Sequence, residues 1–390
     1  MRSETAADPK ALKKWVARFA TSEIGRRAED LNSTGRFPAD IWRSMGEAGL
    51  LGINLPQSRA GLGCDALSTI TAIESFVRYG KSIGLGFSWL IHLIISRYFF
   101  LDFGNDAHRA VYLPDLAAGR ITASVAISEP GGGAHPKFLK TEAKRLPEED
   151  CFVLNGEKSF LTNGPIADLF IVFAITSMNG SRKGFSALLA PKDTAGLSLT
   201  APLDLGCLKP SPHCGLKLNN CYVPTSAVLG TEHLAYEQMA KLFRTLEDVF
   251  MMGLALGGME VQLDLVLSHM RESGVECGDE TKRGLGELRS LIDSLRVMAV
   301  DAARLLERGA VEHPRMLSLV LSFRHLSNYY QSRFERLRSG LGEAASVPLD
   351  LITHDLVRIA GIAGSIIAAK QKKLGESLLS GKESDAELQQ

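Results

Sequence analysis

Along most of this chain the apolar residues recur with a helical period, but between about residues 123 and 230 they switch to short alternating runs. That switch constrains the fold more than any single residue. Segment 39-ADIWRSMGEAGLLGINLP-56 puts Ile41, Met45, Leu50 and Leu51 on one helical face, and 66-ALSTITAIESFVRYG-80 has a similar period. Inside the switched region, 168-DLFIVFAIT-176, 184-GFSALLAP-191 and 213-HCGLKLNNCYVP-224 read as strands with glycine or polar breaks. In 152-FVLNGEKSFLTNG-164 the Asn155-Gly156 pair between alternating residues predicts a β-hairpin turn. Helical periodicity then returns in four segments, 235–272, 283–308, 312–338 and 349–380. The expected class is α+β, with an N-terminal helical domain (1–122), a middle β-domain (123–230) and a C-terminal four-helix bundle (231–390).

Charge and cysteine usage narrow the function. Lys+Arg and Asp+Glu each number 44, so no basic surplus advertises nucleic acid or an anionic membrane. The most apolar window, 83-IGLGFSWLIHLIISRYFFLDFG-104, contains His92 and Arg97 and is expected to be a buried helix, not a membrane span. The first residues carry charge and a helical pattern without the apolar run of a secretory leader, and a cytoplasmic protein is expected. Six cysteines contain no CxxC pair. Cys207, Cys214 and Cys221 recur every seven residues beside His213, but structural zinc usually shows tighter ligand pairs. Reduced cysteines and no metal are the expectation.

The stretch 126-AISEPGGGAHPKFLKTEAKR-145 sets three glycines after Glu-Pro. It lacks the GxGxxG spacing of a dinucleotide turn and the lysine of a P-loop, so neither nucleotide fingerprint applies. Alone it reads as a flexible connection. It is followed, in order, by NGEKSFLTNG, then Leu208-Lys209-Pro210-Ser211-Pro212, Tyr222-Val223-Pro224 and Leu229-Gly230. These blocks resemble the acyl-CoA dehydrogenase family, whose loop is of the TEPGAGSD type and whose strand is of the NGxKxWITNG type. The resemblance runs from about residue 10 to 375, strong through 230 and thin afterwards.

That resemblance implies a flavoprotein whose FAD ring lies between the β-domain and the C-terminal bundle. Ser128 and Thr162 would hydrogen-bond the flavin, and Phe160 would stand where the family usually has tryptophan. The plainer reading of Phe160 is a core aromatic. Ala134-His135 replaces the family's Ser-Asp pair, and His135 reads as a solvated loop residue. The chemistry needs a carboxylate to take the α-proton of a thioester while a hydride leaves the β-carbon. The position that holds this base in many members falls on Ala363, whose methyl group accepts no proton. A minority keeps it on the first long helix of the C-terminal domain, where 241-KLFRTLEDVFMMGLALGGME-260 places Glu247. Asp248 stands where the family has arginine, with Arg244 one turn earlier as a substitute cation. A solvated helix glutamate is the plainer alternative for Glu247.

The family also offers an RxxFG turn and a QxxGGxG turn to a neighbour's FAD. The first is missing from 270-MRESGVECGDETKRGLG-286, and the second survives only as 336-RLRSGLG-342, with Arg336 at the glutamine position and Gly340 in the glycine turn. The uneven loss suits a hetero-oligomer with a related chain. A flavin-free relative is the competing reading, and a homotetramer in which Arg336 serves the pyrophosphate is a third. The implied activity is α,β-dehydrogenation of an acyl-CoA or acyl-carrier thioester, with electrons passed to an electron-transfer flavoprotein or similar acceptor. The alternative is a non-catalytic or flavin-free subunit that binds a partner or thioester.

Overall fold

The computed structural model describes residues 8–274, 277–339, 347–361 and 367–380. In chain order the first helices are α1 (Pro9–Phe19), α2 (Ala28–Thr34), α3 (Ala39–Ala48), α4 (Ala66–Gly80), α5 (Ile83–Ile94) and α6 (Asp106–Ala117). Strands β1 (Ala123–Ala126), β2 (Glu142–Leu146), β3 (Cys151–Thr162), β4 (Leu169–Asn179), β5 (Arg182–Pro191), β6 (Leu197–Leu199), β7 (His213–Pro224) and β8 (Val228–Leu229) follow. Helices α7 (Lys241–Ser273), α8 (Asp279–Glu307), α9 (Pro314–Ser339), α10 (Val347–Gly361) and α11 (Ile367–Leu379) complete it. The helical, β, helical order expected from periodicity is the order found. The chain forms two compact units, one built from 30–64 and 84–247, the other from 8–29, 65–83 and 248 onward.

The first unit is organised on one eight-stranded sheet in the order β6-β7-β3-β2-β4-β5-β8, with β1 parallel to β4 beside that path. β4 is buried continuously from Leu169 to Ile175, so both of its faces lie inside the protein. The Asn155-Gly156 pair makes no hairpin. β3 runs straight through it with a register shift against β7 between Leu154 and Gly156. Asn155 Oδ1 accepts from the Asn220 amide at 2.9 Å across the strands. A side chain at Gly156 would lie 2.5 Å from Thr141 Oγ1, so the glycine serves close backbone approach.

The apolar run Ile83–Leu101 has the length and hydropathy of a membrane span, yet 89% of its window is buried within the protein, as expected for a core helix. Its polar residues are accommodated locally. His92 is wholly buried with Nε2 3.1 Å from the Leu116 carbonyl, and desolvation lowers it to about 4, so the ring is neutral. Arg97 pairs with Asp102.

In the second unit α7 packs on α4 through glycines. A Cβ at Gly253 would stand 2.8 Å from the Ile70 carbonyl oxygen, and one at Gly257 2.6 Å from that of Glu74. Next to this contact Glu260, only 4% exposed, accepts from Arg296 at 2.7 Å, Arg289 at 3.0 Å and Arg78 at 3.2 Å. Arg296 also donates to the buried Glu74 at 2.8 Å. Two carboxylates are thereby removed from water without being left unpaired.

Candidate functional site

The three glycines build a tight turn. Glu129 N–H donates to the Gly133 carbonyl at 3.0 Å, and the N–H of Gly133 donates back at 3.1 Å. Gly131 and Gly133 have φ of +74° and +56°, where side chains are disfavoured. Gly132 is held differently, since a Cβ there would stand 2.7 Å from Phe138 Cβ. His135 is exposed, its Nδ1 accepting from the Lys137 amide at 3.3 Å.

What fixes the turn is Glu129, whose side chain points inward and is 6% exposed as a residue. Oε2 accepts from the Lys140 N–H at 2.7 Å; Oε1 accepts from the Thr141 N–H at 2.9 Å and from Lys158 Nζ at 2.8 Å. Lys158, fully buried, gives a second hydrogen to the Ile127 carbonyl at 3.1 Å. Burial pushes the Glu129 carboxyl up, but the Lys158 ammonium and the Thr141 N–H outweigh it and hold it below its ordinary value. Burial also lowers Lys158 to about 8, against the pull of Glu129, so the pair is ionic at neutral pH.

The same strand carries the next elements. Ser159 N–H donates to the Ser128 carbonyl at 2.9 Å, tying the residue before the turn to β3. The register shift between Lys158 and Leu161 turns Phe160 outward with φ +58° and leaves it 60% exposed. A bulky residue in that backbone region is an outlier. Thr162, two residues on, sets Oγ1 3.2 Å from His213 Nε2, and its carbonyl accepts from Ser124 Oγ at 2.7 Å. Asn163 N–H donates to the Pro212 carbonyl at 2.9 Å and Asn163 Nδ2 to the Ser88 carbonyl at 3.0 Å. Ser128, Phe160 and Thr162 therefore belong to one locked edge of the first unit, with Ser128 and Thr162 only partly covered. A flat aromatic surface bordered by hydroxyl residues suits a planar heteroaromatic ring with polar edges, and FAD has such a ring.

Glu247, also in the first unit, is half-buried on α7. Its neighbour Asp248 is paired with Lys370 of α11, both side chains largely covered. Arg336 is exposed on the last turn of α9, in the second unit. Gly340 and Ala363 lie outside the described residues.

Two family models match the chain, the acyl-CoA dehydrogenase N-terminal domain over residues 6–120 and the middle domain over 124–221. The chain belongs to the acyl-CoA dehydrogenase family. Among its relatives, the mitochondrial isovaleryl-CoA dehydrogenase of Solanum tuberosum is 31% identical over 80% of this chain and 76% of that protein. The L-prolyl-[peptidyl-carrier protein] dehydrogenase of Pseudomonas fluorescens is 31% identical over 76% of this chain and 79% of that protein. The fold is shared with a glutaryl-CoA dehydrogenase from Mycobacterium smegmatis solved with FADH2, at a TM-score of 0.83, 20% identity and coverage of 95% and 94%.

Within this acyl-CoA dehydrogenase fold, four residues around the edge and α7 hold positions to which the motifs assign no role: Glu129 and Lys158, which lie inside the SEPGGGAH and NGEKSFLTNG blocks, and His213 and Lys370. Lys158 had a signal. It shares parity along β3 with the buried Phe152 and Leu154, so an inward lysine there requires an acid partner. Among the described residues, no group of three or more His, Cys, Asp or Glu is arranged to hold a metal ion.

Proposed function

We propose that this member of the acyl-CoA dehydrogenase family is a flavin-dependent oxidoreductase that introduces an α,β double bond into an acyl thioester. The observation that carries the proposal is the locked edge on which Phe160, 60% exposed in a left-handed backbone, stands between Ser128 and Thr162. FAD, when bound, would supply the hydride acceptor. Phe160 would offer its face to the ring, and Ser128 and Thr162 their polar groups to its edges. In a homotetramer Arg336 would meet the pyrophosphate. Relatives named for isovaleryl-CoA and for an L-prolyl carrier protein share only the thioester, which supports an acyl-CoA or acyl-carrier substrate class.

Glu247 is the base in this proposal. Its carboxylate takes the α-proton, and the C–H electron pair moves into the new double bond as the β-hydride departs. Asp248 beside it is compensated by Lys370, so it brings no uncompensated negative charge to the helix. Electrons would leave through an electron-transfer flavoprotein or similar acceptor. The loss of the sequence elements that serve a neighbour's FAD supports assembly with a related chain.

The test is to express the chain alone, record its visible spectrum and count released FAD per chain. About one FAD per chain is expected of a homo-oligomer, and substoichiometric FAD that rises with a co-expressed related chain is expected of the mixed assembly. Glu247→Gln should keep the yellow colour and lower thioester oxidation by at least about 100-fold. No flavin retained under either condition would overturn the proposal.

A further inference from the structure

His213 begins β7 directly opposite Thr162 in the antiparallel register of β3 and β7. Its ring is 5% exposed, lies nearly parallel to Phe87 at 6.2 Å, and is engaged at both nitrogens. Nδ1 is 3.0 Å from the Ser211 carbonyl oxygen and Nε2 is 3.2 Å from Thr162 Oγ1. A carbonyl oxygen can only accept, so Nδ1 must carry a hydrogen. Burial lowers the proton affinity of the ring below that of an ordinary histidine, with the Ser211 contact opposing, which favours the neutral form. A neutral ring with its hydrogen on Nδ1 has a bare Nε2.

The Ser211 end is itself fixed. Ser211 N–H donates to the Leu208 carbonyl at 2.8 Å, and Ser211 Oγ accepts from Ser88 Oγ at 2.9 Å. The carbonyl that Nδ1 faces is therefore held in place from both sides. A bare Nε2 in contact with a hydroxyl takes the hydroxyl's hydrogen, and a hydroxyl has only one.

We propose that His213 is a positioning residue that takes the Thr162 hydroxyl hydrogen and leaves Thr162 able only to accept toward a bound cofactor. The proposal rests on the flavin reading of the Ser128–Phe160–Thr162 edge. An acceptor-only contact favours the redox state of the ring that presents an N–H and disfavours the state that presents a bare nitrogen. His213 would thus raise the reduction potential of the cofactor without touching it.

The first arm of the test needs no substitution. Long-range 15N–1H spectra of the chain at neutral pH should show His213 with its hydrogen on Nδ1, and Thr162→Val should shift the Nε2 resonance. A hydrogen on Nε2, or a doubly protonated ring, would overturn the proposal. The second arm compares midpoint potentials of FAD-loaded chains. His213→Leu should lower the potential, because the released hydroxyl can then donate to a bare ring nitrogen. Combining His213→Leu with Thr162→Val should give the potential of Thr162→Val alone, and additive shifts would overturn the proposal. An unmutated chain that retains no FAD sinks the flavin reading instead, a failure that the imidazole spectrum separates from its own.

Discussion

Lys158 Nζ lies 2.8 Å from Glu129 Oε1, with the two side chains 0% and 7% exposed. This contact joins a sheet strand to the glycine turn, so the wall of the candidate site is held by a buried ion pair and not by the turn alone. Removing one member of such a pair strands the other away from water, at a cost of about 3–5 kcal/mol. Lys158→Met should fall near about 3 kcal/mol, since Glu129 would keep its two amide donors. Chemical denaturation measures it, and a loss below about 1 kcal/mol would mean that water reaches the pair.

Glu129 also sets an expected acid response. Its carboxyl is held below the ordinary value in the folded chain, so the unfolded chain takes up its proton first as pH falls. The stabilisation is complete above the ordinary carboxylate value of 4.5 and is lost as pH drops through the folded value. Glu129→Gln should therefore be less stable than the parent near neutral pH and show a shallower loss below about pH 4.5. Denaturation midpoints across that range decide it, and parallel curves would remove Glu129 as a contributor.

Much of this arrangement was legible in the chain, and the exceptions share a cause. Periodicity located the sheet and the long helices because it reports which faces are buried. The Asn155-Gly156 pair misled because the same two residues suit a turn or a close approach, and only Thr141, remote in sequence, selects the second. The glycine trio alone reads as a flexible connection, but it forms a turn fixed by Glu129 and, behind it, by Lys158, a residue type that normally reads as solvated. Phe160 was legible as a candidate by its place in a motif, whereas its exposure and left-handed backbone depend on a bulge that no local pattern encodes. Lys370 was invisible because α7 and α11 meet only in the folded chain.

The carboxylate cluster of the second unit gives a contrast between two arginines on one helix. Arg296 bridges Glu74 and Glu260, both nearly inaccessible, while Arg289 reaches Glu260 and the exposed Asp293. Arg296→Met takes the guanidinium from Glu74 and the shortest contact from Glu260. About 3 kcal/mol of destabilisation is expected for it. Arg289→Met leaves Glu260 with Arg78 and Arg296, and about 1 kcal/mol is expected. Equal losses in thermal or chemical denaturation would contradict the bridging role of Arg296.

Phe160 separates a packing role from a binding role. An aromatic at φ +58° carries backbone strain of about 1–2 kcal/mol, which glycine would relieve. A core aromatic would more than repay that strain through burial, but Phe160 is 60% exposed and has little burial to lose. Phe160→Gly should leave the flavin-free chain as stable as the parent or more stable by about 1 kcal/mol, while FAD retention on gel filtration falls. A stability loss above about 2 kcal/mol in the flavin-free chain would instead make Phe160 a structural residue. Unchanged stability together with unchanged FAD retention would remove it from the site, because the strained backbone would then be serving neither packing nor cofactor.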